Sequence, residues 1–201
     1  ALWIKERLKA KRSLVLVPSL SLLSQILREW TATASESFDW ICVCSDKSVA
    51  RKDKVEDDWI ANSSEIGAPV TSDSEEIKEF LKRDGAQVVF STYQSSPLIS
   101  EAQEDLSVPE FDIAFADEAH RCAGKVSDAF GCVLDEKQIR SNKRLFLTAT
   151  PRVLSKQIKT KAQENEIEVV SMDDYSVFGN VLYKLNFSKA IENDLLSDYR
   201  V

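Results

Sequence analysis

Six apolar runs, six or seven residues each and rich in β-branched and aromatic side chains, constrain this chain more than any other feature: "SLVLVP" (13–18), "FDWICVC" (38–44), "AQVVFS" (86–91), "FDIAFAD" (111–117), "RLFLTAT" (144–150) and "IEVVSM" (167–172). They do not alternate apolar with polar, as a strand with one wet face would. Near-continuous runs suit strands covered on both faces, and stretches of helical period lie between them. The pattern predicts an α/β fold, a three-layer parallel sheet flanked by helices. A chain of 201 residues with 43% hydrophobic residues can bury one substantial core. Its five Gly and five Pro, with 29% charged residues, exclude a fibrous or disordered chain.

Between the runs, "SLSLLSQILREW" (19–30) sets Leu20, Leu23, Ile26, Leu27 and Trp30 at helical spacing, and Ser19 after Pro18 is a helix cap. "SDSEEIKEFLKRDG" (72–85) predicts a helix with a capping box from Ser72 to Glu75 and a stop at Gly85. "ALWIKERLKA" (1–10) reads as the later turns of a helix whose beginning is absent. With Ala rather than Met at position 1 and an apolar segment interrupted in "LLSDYRV", the chain reads as a piece of a longer protein, truncated at its N-terminus. The polar, weakly periodic stretch 45–72 is expected to be a surface loop or insertion. No internal repeat or low-complexity tract is present.

No apolar run approaches the roughly 18 residues that span a bilayer, and the start lacks the order of a signal peptide. Four cysteines, Cys42, Cys44, Cys122 and Cys132, are too few for a disulfide framework, so a reducing, cytoplasmic setting is expected. The net charge of -7 is unevenly spread. Residues 101–136 carry ten acids against two bases, whereas 137–161 carry eight bases (Lys137, Arg140, Lys143, Arg144, Arg152, Lys156, Lys159 and Lys161) and no acid. A basic face can hold a polyanion whatever the total charge. On charge alone, a solvated surface is the favoured reading.

Ligands of an open parallel sheet bind beyond the carboxyl ends of its strands. Asp117 and Glu118 stand at such an end, as do Ser91-Thr92 and Thr148-Ala149-Thr150. An apolar strand that delivers an Asp suits a Mg-nucleotide site, because Mg²⁺ takes hard oxygen ligands and keeps several waters. A second carboxylate beside it can orient or deprotonate a water. An Asp-Glu pair alone fits a helix start equally well. Zinc ligation by His120 with the cysteines is disfavoured, because Cys42 and Cys44 alternate onto one strand face and no C-x₂-C pair occurs; buried thiols are expected. Trp3, Trp30, Trp40 and Trp59 read as packing residues, and Asp173-Asp174 as a helix cap.

"DEAH" (117–120) followed by "RCAG", and then "LTATPR" (147–152), resembles motifs II and III of the superfamily 2 helicases and translocases, especially the motor subunits of type I and type III restriction enzymes. "LVLVPSLSLLSQILREW" (14–30) resembles their motif Ia, "VVFSTYQS" (88–95) their motif Ib, and residues 171–201 the end of the first motor domain. The resemblance implies a RecA-like fold of the P-loop NTPase class, with 1–201 forming part of the first motor domain. It implies ATP and Mg²⁺ as cofactors of the parent protein, with Asp117 holding the metal, Glu118 activating the attacking water, and His120 coupling to Thr148, Ala149 and Thr150. Ser19, Gln25, Ser91, Thr92 and Tyr93 would lie along a nucleic-acid backbone, duplex DNA in the first place and RNA as the other option. The second motor domain of the same chain would be the remaining partner, and no membrane is implied.

One departure from that family is plain. No phosphate loop of the form G-x-x-x-x-G-K-[ST] occurs, so this piece alone is not expected to hydrolyse ATP. Two other readings stay open from sequence: a non-catalytic nucleic-acid-binding or scaffolding module with a decayed motor fold, and a hydrolase whose Asp117, Glu118 and His120 share a metal.

Overall fold

A computed structural model describes residues 1–44, 70–125 and 128–197. Its centre is a six-stranded sheet whose spatial order departs from chain order. From edge to edge run β3 (Val70–Thr71), β2 (Asp39–Val43), β4 (Gln87–Thr92), β1 (Arg12–Val17), β5 (Ile113–Ala116) and β7 (Arg144–Phe146). Every pairing in it is parallel.

The continuous apolar runs now have a cause. In β1, Leu14 and Leu16 enter one core layer while Val15 and Val17 enter the other. β5 divides in the same way, Ala114 and Ala116 against Ile113 and Phe115. One layer is covered by α2 (Leu20–Thr33), which turns Leu23, Leu27 and Trp30 inward. Trp30 meets the rings of Phe38, Phe90 and Phe115 edge to face, at centroid distances of 6.4, 5.5 and 5.8 Å. The other layer is covered by α3 (Ser74–Leu81) and α4 (Ser96–Glu104), through Ile77, Phe80, Leu81, Ile99 and Ala102. The cysteines are buried thiols, with Cys42 and Cys44 in the α2 layer as their alternation requires.

Three arginines secure the edge opposite the carboxyl ends, each donating to backbone carbonyls of helix ends and turns. Arg12 donates to Leu81 O (3.0 Å) and Arg83 O (3.3 Å), Arg140 to Val108 O (2.7 Å) and Asp105 O (3.1 Å), and Arg144 to Ile139 O (2.6 Å) and Val133 O (2.9 Å). The basic run 137–161 therefore does not form one face. Arg140 and Arg144 serve carbonyls at the start of β7, while Arg152 and α6 (Lys156–Glu164) lie beyond its end, where Lys159 pairs with Asp173 at 2.9 Å.

Several sequence expectations are corrected. α3 is capped by Asp73, not Ser72, because the Asp73 carboxylate accepts from Glu75 N at 2.9 Å, and the helix ends at Leu81, before Gly85. The run 167–172 contributes β8 (Val169–Val170), which stands outside the parallel sheet and pairs antiparallel with β6 (Gly124–Lys125). The sheet's remaining place is filled by β3, from the stretch expected to be a loop; residues 45–69, with Trp59, lie outside the described residues. Trp30 is core and Trp40 half-buried, but Trp3, on α1 (Leu2–Arg7), is 80% exposed. Asp174 caps α7 (Tyr175–Phe178), accepting from Ser176 N. No helix among the described residues is long and apolar enough to cross a membrane.

Candidate nucleotide and nucleic-acid site

The strand register brings the three polar clusters to one rim. Val17 lies level with Thr92, Leu16 with Ala116, and Ala116 with Phe146, so β4, β1, β5 and β7 end side by side. Asp117 leaves β5 there, its amide donating to Leu16 O at 2.9 Å. Glu118 then turns the chain with φ 49° and ψ 44°, a left-handed conformation that a residue with a Cβ holds at a cost. The following turn, Ala119–Cys122, is pinned to the neighbouring segment by Ala119 N donating to Leu147 O at 2.9 Å.

Asp117 is half-buried, and its carboxyl group is held above the usual carboxylate range. Desolvation is the main cause, and the charge of Glu118 adds to it, while the adjacent Glu118 N–H opposes it. Two adjacent acids at a partly desolvated strand end favour a hard cation. No group of three His, Cys, Asp or Glu among the described residues could hold a metal. A Mg²⁺ ion, which typically uses one or two carboxylates with waters and phosphate oxygens, fits such a donor set; a closed protein cage does not.

His120 faces along the rim. Its Nδ1 lies 3.0 Å from Thr148 Oγ1, 3.2 Å from Glu118 Oε2 and 3.5 Å from Thr150 Oγ1. Thr148 Oγ1 also accepts from Thr150 N at 3.1 Å, which leaves its proton to donate. With a proton on Nδ1 the ring can donate to Glu118; without one it accepts from Thr148. Ala149 is exposed between the two threonines. This orientation disfavours the reading in which Asp117, Glu118 and His120 share one metal.

The five residues expected along a nucleic acid divide. Ser19 caps α2, its hydroxyl accepting from Leu22 N at 3.3 Å, and Gln25 is exposed one turn on, donating to Glu29 at 2.9 Å. The side chains of Ser91, Thr92 and Tyr93 are buried. Ser91 donates to Val43 O (3.1 Å) and Thr92 O (3.0 Å), Thr92 to Ser95 Oγ (3.2 Å), and Tyr93 to Asp117 O (2.7 Å).

Sequence reasoning left Arg152 without an individual role. Its Nη1 donates to Ala123 O at 2.9 Å, and a Cβ on Gly124 would lie 2.8 Å from that nitrogen. Gly124 has φ +108°, a backbone conformation that favours glycine, and the Arg152 guanidinium packs into the space a side chain would take. The only signal available was the Arg that closes "LTATPR".

A parallel sheet in this strand order, with an acidic pair at the end of β5 and paired threonines beyond β7, defines a RecA-like helicase motor domain similar to those of restriction enzymes. Residues 1–153 match the family described as "Type III restriction enzyme, res subunit", and the chain belongs to it. It is similar to the type ISP restriction-modification enzyme LlaBIII bound to DNA, with a TM-score of 0.75 and 33% identity over 99% of this chain and 14% of that one. A nuclease-deletion mutant of the type ISP enzyme LlaGI, in complex with a DNA substrate mimic, gives a TM-score of 0.72 and 33% identity over 99% of this chain and 15% of that one. The African swine fever virus protein named probable helicase A859L (isolate Tick/South Africa/Pretoriuskop Pr4/1996) is 28% identical over 191 residues, which are 94% of this chain and 18% of the relative. The chain thus spans less than a fifth of the length of these relatives.

Proposed function

We propose that this chain is part of the first motor domain of an ATP-dependent DNA helicase or translocase, its sequence carrying the DEAH form of motif II. The observation that carries the reading is the Asp117-Glu118 pair at the end of a central strand, joined through His120 to Thr148. Asp117, with its partly desolvated carboxyl, is the residue that would hold Mg²⁺. A bound Mg²⁺ would supply charge neutralisation at the nucleotide phosphates. Glu118 orients the attacking water and accepts its proton. His120 relays the state of this site to Thr148, Ala149 and Thr150. Ser19, at the cap of α2, and Gln25 supply sequence-independent backbone contacts, a use to which helix N-termini and polar side chains are suited.

Duplex DNA is the proposed track and RNA the alternative, with a second motor domain of the same polypeptide completing the site; the setting is cytoplasmic. The DNA-bound state of both restriction enzymes supports the first choice. Since its sequence has no phosphate loop, the 201-residue chain alone is expected to lack turnover.

The test is ATP hydrolysis by the full-length protein with Mg²⁺, with and without duplex DNA or RNA. DNA should stimulate it, and Glu118→Gln should abolish turnover while nucleotide binding persists. Absence of stimulation by either nucleic acid would favour the decayed-motor reading.

A further inference from the structure

We infer that Tyr93 is a positioning residue for the acidic pair: its hydroxyl fixes the peptide group between Asp117 and Glu118, and so the aim of both carboxylates. The catalytic meaning of this inference rests on the motor reading above; its structural content does not.

That peptide is held from the neighbouring strand end. Its carbonyl, Asp117 O, accepts from the Tyr93 hydroxyl at 2.7 Å, and its two flanking amides are pinned as well, Asp117 N to Leu16 O and Ala119 N to Leu147 O, both at 2.9 Å. Rotating the peptide plane would therefore break the Tyr93 bond and shift the backbone that carries both carboxylates. Glu118 is in a left-handed conformation, which local preference does not supply and surrounding contacts must enforce. Among contacts to this peptide, the Tyr93 hydroxyl is the one that comes from another strand's end.

Tyr93 is itself well anchored. Its side chain is fully buried, and its ring stacks on Phe130 with centroids 5.1 Å apart and planes 20° from parallel. The Cys122 thiol lies within hydrogen-bonding reach of the hydroxyl, in the turn that follows Glu118. Tyr93 opens the short turn Tyr93–Ser95 directly after β4, where Ser91 is bonded to the end of β2 and Thr92 to Ser95. The three residues expected to touch nucleic acid instead form a run of internal bonds from β2 through β4 to Asp117.

Tyr93→Phe keeps the ring and its stacking and removes only the donor, while Phe130→Leu removes the stacking and keeps the donor. In the 201-residue chain, hydrogen exchange at the Ala119 amide, which donates to Leu147 O, should quicken about tenfold or more in Tyr93→Phe and much less in Phe130→Leu, with melting temperatures reported for both. In the full-length protein, Tyr93→Phe should raise the half-saturating Mg²⁺ concentration and lower kcat by about 10-fold to 100-fold, the range for residues that orient metal ligands, with the KM for ATP within about twofold. Equal effects of the two variants, following the loss of melting temperature, would reduce Tyr93 to a packing residue. An unchanged Ala119 amide in a folded Tyr93→Phe would overturn the inference outright. If Glu118→Gln retains full turnover, the motor reading fails instead, and the exchange measurement still decides the role of Tyr93.

Discussion

His120 stands between a carboxylate and a hydroxyl, its Nδ1 3.2 Å from Glu118 Oε2 and 3.0 Å from Thr148 Oγ1. One nitrogen cannot donate to the first and accept from the second at once. The ring can therefore report to one side what has happened on the other. Thr148→Val, which keeps the shape and removes the donor, should lower DNA-stimulated ATP hydrolysis of the full-length protein by about 10-fold, the lower end for loss of a group that orients a metal site's residues. His120→Ala should do the same, and the double variant should lose much less than the product of the two, because the residues share one interaction. Steady-state ATPase assays on the four proteins give the coupling directly; independent effects would separate the threonine from the histidine.

The Asp117 carboxyl, raised mainly by desolvation, makes a stability prediction with a definite sign. The unfolded group titrates near about 3.9, so between that value and the higher folded one the folded chain binds more protons. Stability must fall as pH rises through this window, and the penalty stays complete at neutral pH. Asp117→Asn keeps an acceptor for the Glu118 N–H and removes the penalty, so the melting temperature at pH 7 should rise by about 1–3 °C. Below about pH 3.5, where the carboxyl is protonated in both states, the variant and the parent should melt together. An equal shift at both pH values would mean that burial of the charge is not the cause.

Gly124 has a φ of +108°, and any added Cβ would displace the Arg152 guanidinium, whose Nη1 lies 2.8 Å from that position. Gly124→Ala should cost about 1–3 kcal/mol, as expected for a side chain forced into a backbone region reserved for glycine. Shortening Arg152 to Ala in that background removes the clash but not the backbone strain, so only part of the loss should return. Urea unfolding of the single and double variants separates the two contributions.

All four thiols are buried, and burial pushes Cys42 up to about 12 and Cys122 up to about 11. At pH 8 the thiolate, which is the reactive form, is scarce in both. Ellman's reagent should find no fast-reacting thiol in the folded chain and all four after denaturation. A fast thiol in the native state would place a cysteine at the surface.

What was legible in the sequence divides along physical lines. β1, β4 and β5 were visible because a strand covered on both faces must be apolar at successive positions, as Leu14 to Val17 are. β3 was not, since Val70–Thr71 is a two-residue edge pairing with Cys42 and Val43, too short to leave a period. "IEVVSM" looked like its neighbours, yet a run of apolar residues cannot say which partner it will meet; Val169 and Val170 found Gly124–Lys125. At the rim, the order of motifs pointed to Asp117, His120 and Thr148, and His120 does lie 3.0 Å from Thr148. The burial of Ser91, Thr92 and Tyr93 was not legible, because a hydroxyl at a strand end reads the same whether it faces solvent or a buried carbonyl.

The strand order also has a consequence for how the chain acquires its shape. β1 and β2 are near in sequence but never touch, since β4 lies between them. Neither can close the sheet until residues 87–92 have been made and inserted, and pairing over such separations slows folding because a long loop must be closed first. Until then both strands present open hydrogen-bonding edges, the condition under which chains pair wrongly with one another. A nascent chain stopped before Gln87 should therefore be a chaperone client, and the same chain carried past Phe146, where β7 covers the edge of β5, a self-sufficient one.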